Sequence, residues 1–415
     1  MALTPILVAS SGRSGTTALM SLLGTDPHVA FDRVYPFENR YLTYYAKFAV
    51  VASRCVPAYP EPLDAMMDFD GNTLGPPPWP VEPPAGVTFA TPSTPELLRG
   101  LWSVLVGQLP NFTHYAEKVP AWTPAVIRTA FPCTTLYLMR DPRDVYLSSV
   151  AFNRSRGSSA GFGWAHGMSE RDHALNLAHG ILTYWEKMVT DAGRMDVLTV
   201  RYEDLIGDTA AVADRLGKAL GLDLSAQRMP PAPGEHRTSS DSASSISRWK
   251  RDGISPTVTN ALESMLHDCM TSCNYPVSAP RAKEIDLSRC EKDSGDGSFN
   301  VDDEGITVQV QGGDFWVTTA REKFDAASVS EIWICARGNT GDHFALFWRS
   351  PREEFAETHS LRIPFASGDH FQILRFPVGG HPLWKGAIGQ LRLDFFNGLV
   401  TSGQGGTVRW IRFVP

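Results

Sequence analysis

The chain has 415 residues, of which 43 % are hydrophobic and 20 % charged, with a formal net charge of −7. That length predicts two or three domains with large buried cores, and the balance of residues excludes a mostly disordered chain. An acidic chain argues against a general binder of nucleic acid or of anionic membrane, so any anion site has to be a local basic cluster.

The first element follows within a few residues of Met1. Ile6–Ala9 reads as a short buried strand, which leaves no room for a secretory leader, and no later apolar run is long enough to cross a bilayer. A cytoplasmic protein without a transmembrane segment is expected. Six cysteines (Cys55, Cys133, Cys269, Cys273, Cys290 and Cys335) lie scattered along the chain, which suits reduced thiols. Cys269 and Cys273 have helical spacing, but no nearby Cys/His pair completes a tetrahedral set, so no metal is expected.

After the strand comes the turn Gly12-Arg13-Ser14-Gly15-Thr16-Thr17, and then Leu19, Leu22 and Leu23 at helical spacing up to Gly24. A strand-to-helix turn of this kind gathers unpaired backbone N–H groups at the positive end of a helix and so attracts a phosphate. A magnesium triphosphate site needs G-x-x-x-x-G-K-[ST]. Here the cation is Arg13, inside the loop, and the ligand is expected to be an anion other than a magnesium-bound triphosphate.

Pro57 to Pro95 is crowded with prolines and cannot be a regular core element; it reads as an insertion or as a lid over the site. A second strand, Thr135–Met139, runs into Arg140 and Asp141-Pro142, with a helix over Pro142–Phe152. Two helical turns on, Ser148 is spaced to close on one phosphate with Arg140; the plain alternative is an Arg–Asp surface network. A third pair, Val197–Val200 and Thr209–Gly221, brackets Tyr202, Glu203 and Asp204. The two acids read as an exposed cap, and Tyr202 as a wall for a base. In "SISRWKRDG", Arg248, Trp249 and Lys250 form either a solvated basic face or a clamp for a nucleotide phosphate. Strand–helix alternation predicts a parallel sheet flanked by helices, with ligands at the carboxyl ends of its strands.

From Pro276 to about Asn300 the chain turns polar, as in "EKDSGDGS", and reads as a linker. Beyond it, "GITVQVQ", "DFWVTTA", "SEIWICAR", "HFALFWRS", "FQILRFPV", "GQLRLDFF" and "TVRWIRFV" are short runs of aromatic and β-branched residues, the pattern of an antiparallel sandwich.

Four motifs in this order resemble the bacterial type of sulfotransferase that uses 3′-phosphoadenosine 5′-phosphosulfate (PAPS), over roughly Leu3 to Tyr275. "GRSGTT" looks like the family's 5′-phosphosulfate loop, "RDPRDVYLSS" like its 3′-phosphate motif, and "RWKRDG" like the basic segment that covers the nucleotide. The resemblance implies an α/β P-loop-type domain over residues 1–280; the polar stretch and the strand runs beyond it place a linker over 281–297 and a jelly-roll sandwich over 298–415. It implies PAPS as donor with no metal required. Gly12, Arg13, Ser14, Gly15, Thr16, Thr17, Arg140, Ser148, Tyr202, Arg248, Trp249 and Lys250 would bind the donor. Arg13 would also offset charge on the bridging oxygen, in place of the Lys of the cytosolic branch.

The acceptor hydroxyl needs a base. The cytosolic branch uses a His before a Leu-Pro, and "HYAEKVPAW" departs from that pattern, although His114 and Lys118 are present. Other branches carry a Glu some twenty-odd residues after the loop, where "FDRVYPFENRYL" offers Asp32 and Glu38. Glu38 follows an aromatic-Pro-aromatic frame suited to desolvating it and is the preferred base; His166 stands further back. Competing readings are a noncatalytic glycan-binding or scaffold protein that keeps the fold and a P-loop kinase, which the absent G-K-[ST] disfavours. The sandwich looks like galactose-binding-like jelly rolls, which points to a saccharide or glycolipid acceptor, and a homodimer is compatible with the sequence. Trp316, Trp333, Trp348, Trp384 and Trp410 would either stack on sugar or fill the core.

Overall fold

In a computed structural model of the chain, the residues described are 3–34, 36–38, 40–52, 93–157, 160–228, 243–292, 296–302, 304–366, 368–398 and 400–414. The proline-crowded stretch lies outside them up to residue 92. The described residues form two compact units, Met1–Gly167 with Met188–Ile254, and Met168–Lys187 with Ser255–Pro415.

The first unit is built on a parallel sheet. In chain order it contains β1 (Thr4–Ser10), α1 (Thr16–Leu23), β2 (Val29–Ala30), α2 (Tyr41–Ala52), α3 (Thr94–Gln108), β3 (His114–Val119), α4 (Thr123–Arg128), β4 (Thr134–Met139) and α5 (Pro142–Arg156). A short hairpin, β5 (Ala160–Gly161) and β6 (Trp164–Ala165), follows. After α6 (Glu170–Asp191) come β7 (Val197–Arg201), α7 (Tyr202–Gly207), α8 (Thr209–Leu220) and α9 (Arg248–Asp252). The strand order is β2-β3-β1-β4-β7, so the chain leaves β1 to one side, returns, and continues to the other. Ligands of such sheets sit at the carboxyl ends of the strands where the order reverses, here the ends of β1, β3 and β4. Ile6, Val8, Leu136, Leu138 and Val200 pack with Leu19, Leu22 and Leu23 of α1, and with Val212 and Leu216 of α8, into the core on one face of the sheet.

The second unit is a sandwich with helices of its own, α10 (Pro256–Met265) and α11 (His267–Ser272). Its strands are β8 (Glu291–Lys292), β9 (Gly297–Asp302), β10 (Gly305–Val310), β11 (Trp316–Thr318), β12 (Phe324–Asp325), β13 (Glu331–Gly338), β14 (His343–Arg349), β15 (Ser360–Pro364), β16 (Gly368–Phe376), β17 (Ala387–Ile388), β18 (Gln390–Asn397) and β19 (Gly405–Val414). One antiparallel sheet is ordered β16-β13-β19-β10-β9 and the other β15-β14-β18-β11-β8. Alternate residues such as Ile332, Ile334, Leu346, Trp348, Leu393 and Ile411 fill the space between them.

The polar stretch expected to be a linker supplies strands as well: β8 pairs with Val317 and Thr318, and β9 with β10. The outer face of the β13–β19 sheet is covered by α6 residues of the same unit. The His179 ring stands edge-on to Trp333 at 5.7 Å, and Trp410 Nε1 donates to Glu186 Oε1 at 3.0 Å. Arg412 donates to Glu284, to Asp268 and to the Met265 carbonyl. Trp333, Trp348, Trp384 and Trp410 are all buried, and of the five sandwich tryptophans only Trp316 is half-buried, under the Arg392 guanidinium 4.3 Å above its ring. Most of these rings therefore pack in the interior, as aromatics at alternating strand positions do.

Candidate active site

The turn after β1 is a backbone device. Gly12, Arg13 and Gly15 all have left-handed φ values, of 81°, 52° and 94°. Three such residues in four bend the chain tightly at the start of α1, the kind of turn whose successive N–H groups suit an anion. Gly15 is there for a second reason: a Cβ on it would lie 2.1 Å from Tyr202 Cδ2. Gly15→Ala is expected to destabilise the protein by about 2 kcal/mol or more, the left-handed conformation alone costing an L-residue about 1–2. Thermal melting measures the loss, with Gly100→Ala as the control, since nothing lies within 4 Å of a methyl there.

Residues from the ends of the neighbouring strands close on this loop. Arg140, just past β4 and only 6 % exposed, donates to the Arg13 carbonyl at 2.9 Å and to the Ser245 carbonyl at 2.8 Å. Its Nε is buried with no hydrogen-bond partner among the described residues. The Arg13 Nε donates to Ser148 Oγ at 3.3 Å, and its guanidinium lies 4.3 Å above the Phe152 ring. Arg140 and Ser148 thus both meet Arg13. Tyr202 is buried beneath Gly15; its ring is 4.6 Å from the Arg140 guanidinium and its hydroxyl 2.7 Å from Ser245 Oγ, so it supports the loop from below. Ser14 is buried and bonds to the Gly12 carbonyl, while Thr16 opens α1.

Asp141 caps α5 by accepting the Arg143 N–H, with Pro142 at the tolerated first position. Its own N–H donates to Glu203 Oε1 at 3.0 Å, which ties the end of β4 to the end of β7. The basic segment docks on this cap through Trp249, whose backbone N–H donates to Asp144 and whose Nε1 donates to Asp141. The Arg143 guanidinium lies 3.7 Å above the Trp249 ring. Trp249 is engaged by the cap on these sides, Arg248 pairs with Asp252, and Lys250 lies 5.3 Å from the Trp249 ring. Burial raises the Asp144 carboxyl to about 6, against the Trp249 N–H that favours its charged form.

The base candidates separate by position. His114 opens β3 opposite Thr4, whereas the loop follows Ser10 at the other end of β1. Those ends are six residue steps apart, about 20 Å, so His114 is remote from the loop. Asp32 accepts the Val34 N–H at 2.9 Å, and His166 is exposed beside Trp164. Lys118, near the carboxyl end of β3, donates to Thr17 Oγ1 at 3.1 Å and to the Pro36 carbonyl, and lies 3.7 Å from Glu38 Oε1. Arg40 holds the other Glu38 oxygen at 2.7 Å. Burial pushes the Lys118 ammonium down to about 8, with Glu38 pulling it back up and Arg13 adding to the fall.

The site therefore gathers three cations, Arg13, Arg140 and Lys118, and the Glu38 carboxylate around the loop. This arrangement suits transfer of an anionic group to a nucleophile that must lose a proton. Residues 5–226 match the model of the sulfotransferase family. The chain belongs to that family.

Among solved structures, this sulfotransferase is similar to the sulfotransferase domain of the Synechococcus PCC 7002 olefin synthase. The identity is 18 %, over 66 % of this chain and 96 % of that one, with a TM-score of 0.40. A sulfotransferase from Alicyclobacillus acidocaldarius is 12 % identical over 67 % of this chain and 98 % of its own, with a TM-score of 0.37. A xylan-binding module from Roseburia intestinalis is 12 % identical over 32 % of this chain and 93 % of its own, with a TM-score of 0.24. No curated protein matches the sequence. Among the described residues, no helix is long and apolar enough to cross a membrane.

Four positions escaped the sequence reading: Phe162, Glu117, Ser245 and Asp144. Phe162 has a φ of 50°, is 36 % exposed, and would lie 3.2 Å from a Cβ on Gly12. A signal existed for Glu117 alone, since two adjacent charges in the strand "HYAEKV" are unusual for a buried element.

Proposed function

We propose that this sulfotransferase moves the sulfuryl group of PAPS to an acceptor hydroxyl, carried on a saccharide or glycolipid. The observation that carries the donor assignment is the convergence of Arg13, Arg140 and Lys118 on a loop opened by Gly12 and Gly15. The loop lacks the Lys-Ser/Thr pair of a magnesium triphosphate site. Arg140 Nε, buried and without a partner among the described residues, is a donor suited to an anion, and the left-handed Gly12 and Gly15 give the loop the tight turn of an anion nest.

When bound, PAPS would supply an electron-poor sulfur that passes in line between two oxygens. Loop N–H groups from Gly12 to Thr17 hold the phosphosulfate. Arg13 offsets the charge that grows on the bridging oxygen, Lys118 stands on the acceptor side beside Thr17, and Glu38 takes the acceptor proton. Support for a saccharide acceptor comes from the appended sandwich, where Trp316 is the half-buried ring.

Calorimetric titration tests the donor: adenosine 3′,5′-bisphosphate should bind and magnesium ATP should not. Ser148→Ala is expected to weaken the bisphosphate by about 1–3 kcal/mol and adenosine 5′-phosphate much less. Arg140→Ala should cost both nucleotides, because it also releases the Arg13 and Ser245 carbonyls. Equal losses for the two nucleotides on Ser148→Ala would remove that residue from the 3′-phosphate. Transfer of radiolabelled sulfuryl group to a panel of polysaccharides, glycolipids and phenols tests the acceptor; label on phenols alone would overturn the saccharide reading.

A further inference from the structure

The end of β3 grips the segment that carries Glu38 from both sides. Lys118 donates to the Pro36 carbonyl before it. Glu117, the preceding residue, holds the start of α2 after it. The Glu117 carboxylate is 1 % exposed and accepts four hydrogen bonds: Leu42 N–H at 2.8 Å, and Thr43 N–H, Thr43 hydroxyl and Tyr115 hydroxyl at 2.9 Å each. The two backbone donors belong to the first turn of a 12-residue helix, where N–H groups have no partner within the helix and the helix field favours an anion.

Between the two grips the backbone is strained. Phe37, one residue before Glu38, has a φ of 63° and is buried, with its ring edge-on to Phe31 at 5.6 Å. A bulky residue stays in the left-handed region only where its surroundings over-determine it. With one grip loosened, the turn would relax and carry Glu38 away from Lys118.

A buried carboxylate is a costly way to hold a helix for stability alone. Its place beside Lys118 in the chain gives it a second use. We propose that Glu117 is a positioning residue for sulfuryl transfer, pinning the first turn of α2 to β3 so that Glu38 stays against Lys118 beside the donor loop. The inference rests on the reading of Glu38 as the base.

The test uses the full chain and hydrolysis of radiolabelled PAPS, with water as acceptor, so that no acceptor need be identified. Glu117→Gln keeps the shape but turns an amide N–H₂ toward the α2 donors. It is expected to lower turnover about tenfold while binding of adenosine 3′,5′-bisphosphate stays within about twofold. Added to Glu38→Gln it should cost almost nothing more, because it acts through that residue. Unchanged turnover in Glu117→Gln, or losses that multiply in the double variant, would overturn the proposal. Normal turnover in Glu38→Gln alone would instead sink the base assignment, and with it the premise. Should Glu117→Gln fail to fold, Thr43→Val removes a single donor and is expected to lower turnover about threefold at unchanged nucleotide affinity. No loss there would overturn the proposal as well.

Discussion

Glu38→Gln is expected to lower turnover on the order of a hundredfold or more and to leave donor affinity nearly unchanged, the pattern of a lost base. The substitution keeps the side chain's shape and its contact with Arg40, and removes its basicity. It has a second, separable consequence. Glu38 is the neighbour that raises the Lys118 ammonium, which burial has brought down to about 8. A lysine must be charged to stabilise a transition-state anion, so activity should fall as pH rises through about 8. Without Glu38 that alkaline limb should move to lower pH. Near-normal turnover in a folded Glu38→Gln protein would transfer the base to another residue, and a fixed alkaline limb would detach it from Lys118.

The other large effect concerns cutting the chain at residues 281–297. Both fragments are expected to precipitate. The compact unit that holds the sandwich does not begin at that segment: it also takes in Met168–Lys187 and residues 255–280. A fragment of residues 1–280 would lose the sheet that covers His179 and would leave Glu186, 1 % exposed in the intact chain, without Arg409 and Trp410. A fragment beginning at residue 281 would uncover Trp333 and Trp410. Apolar faces of that kind, once exposed, drive aggregation. Soluble yield and size-exclusion profile check this, and a soluble, monomeric fragment 1–280 would show that the helices do not need the sheet. Any acceptor-binding role of the sandwich is therefore better tested by substitution at Trp316 than by removal.

Some of this protein was determined by local sequence alone. Ile6–Ala9, Thr135–Met139 and Val197–Val200 lie within the observed strands β1, β4 and β7, and the Gly12–Thr17 turn stands between strand and helix. Apolar period, a stop at Gly and a Pro at the first helical position are properties of neighbours in the chain, and they need no distant partner. The aromatic runs of the sandwich were legible for the same reason. Only tertiary structure decided the rest. The sequence cannot say that Gly15 is a glycine because Tyr202 fills the space a Cβ would need, or that Arg140 uses two of its nitrogens on backbone carbonyls. Nor can it rank the base candidates: His114 and Lys118 are four residues apart, yet β3 carries one to the far end of the sheet and the other to Thr17. Position across a parallel sheet depends on register between strands far apart in sequence, and burial of α6 against β13 and β19 on contacts spanning more than a hundred residues. Neither is written in any local pattern, which is why motifs found the Gly12–Thr17 turn while geometry selected the side chains around it.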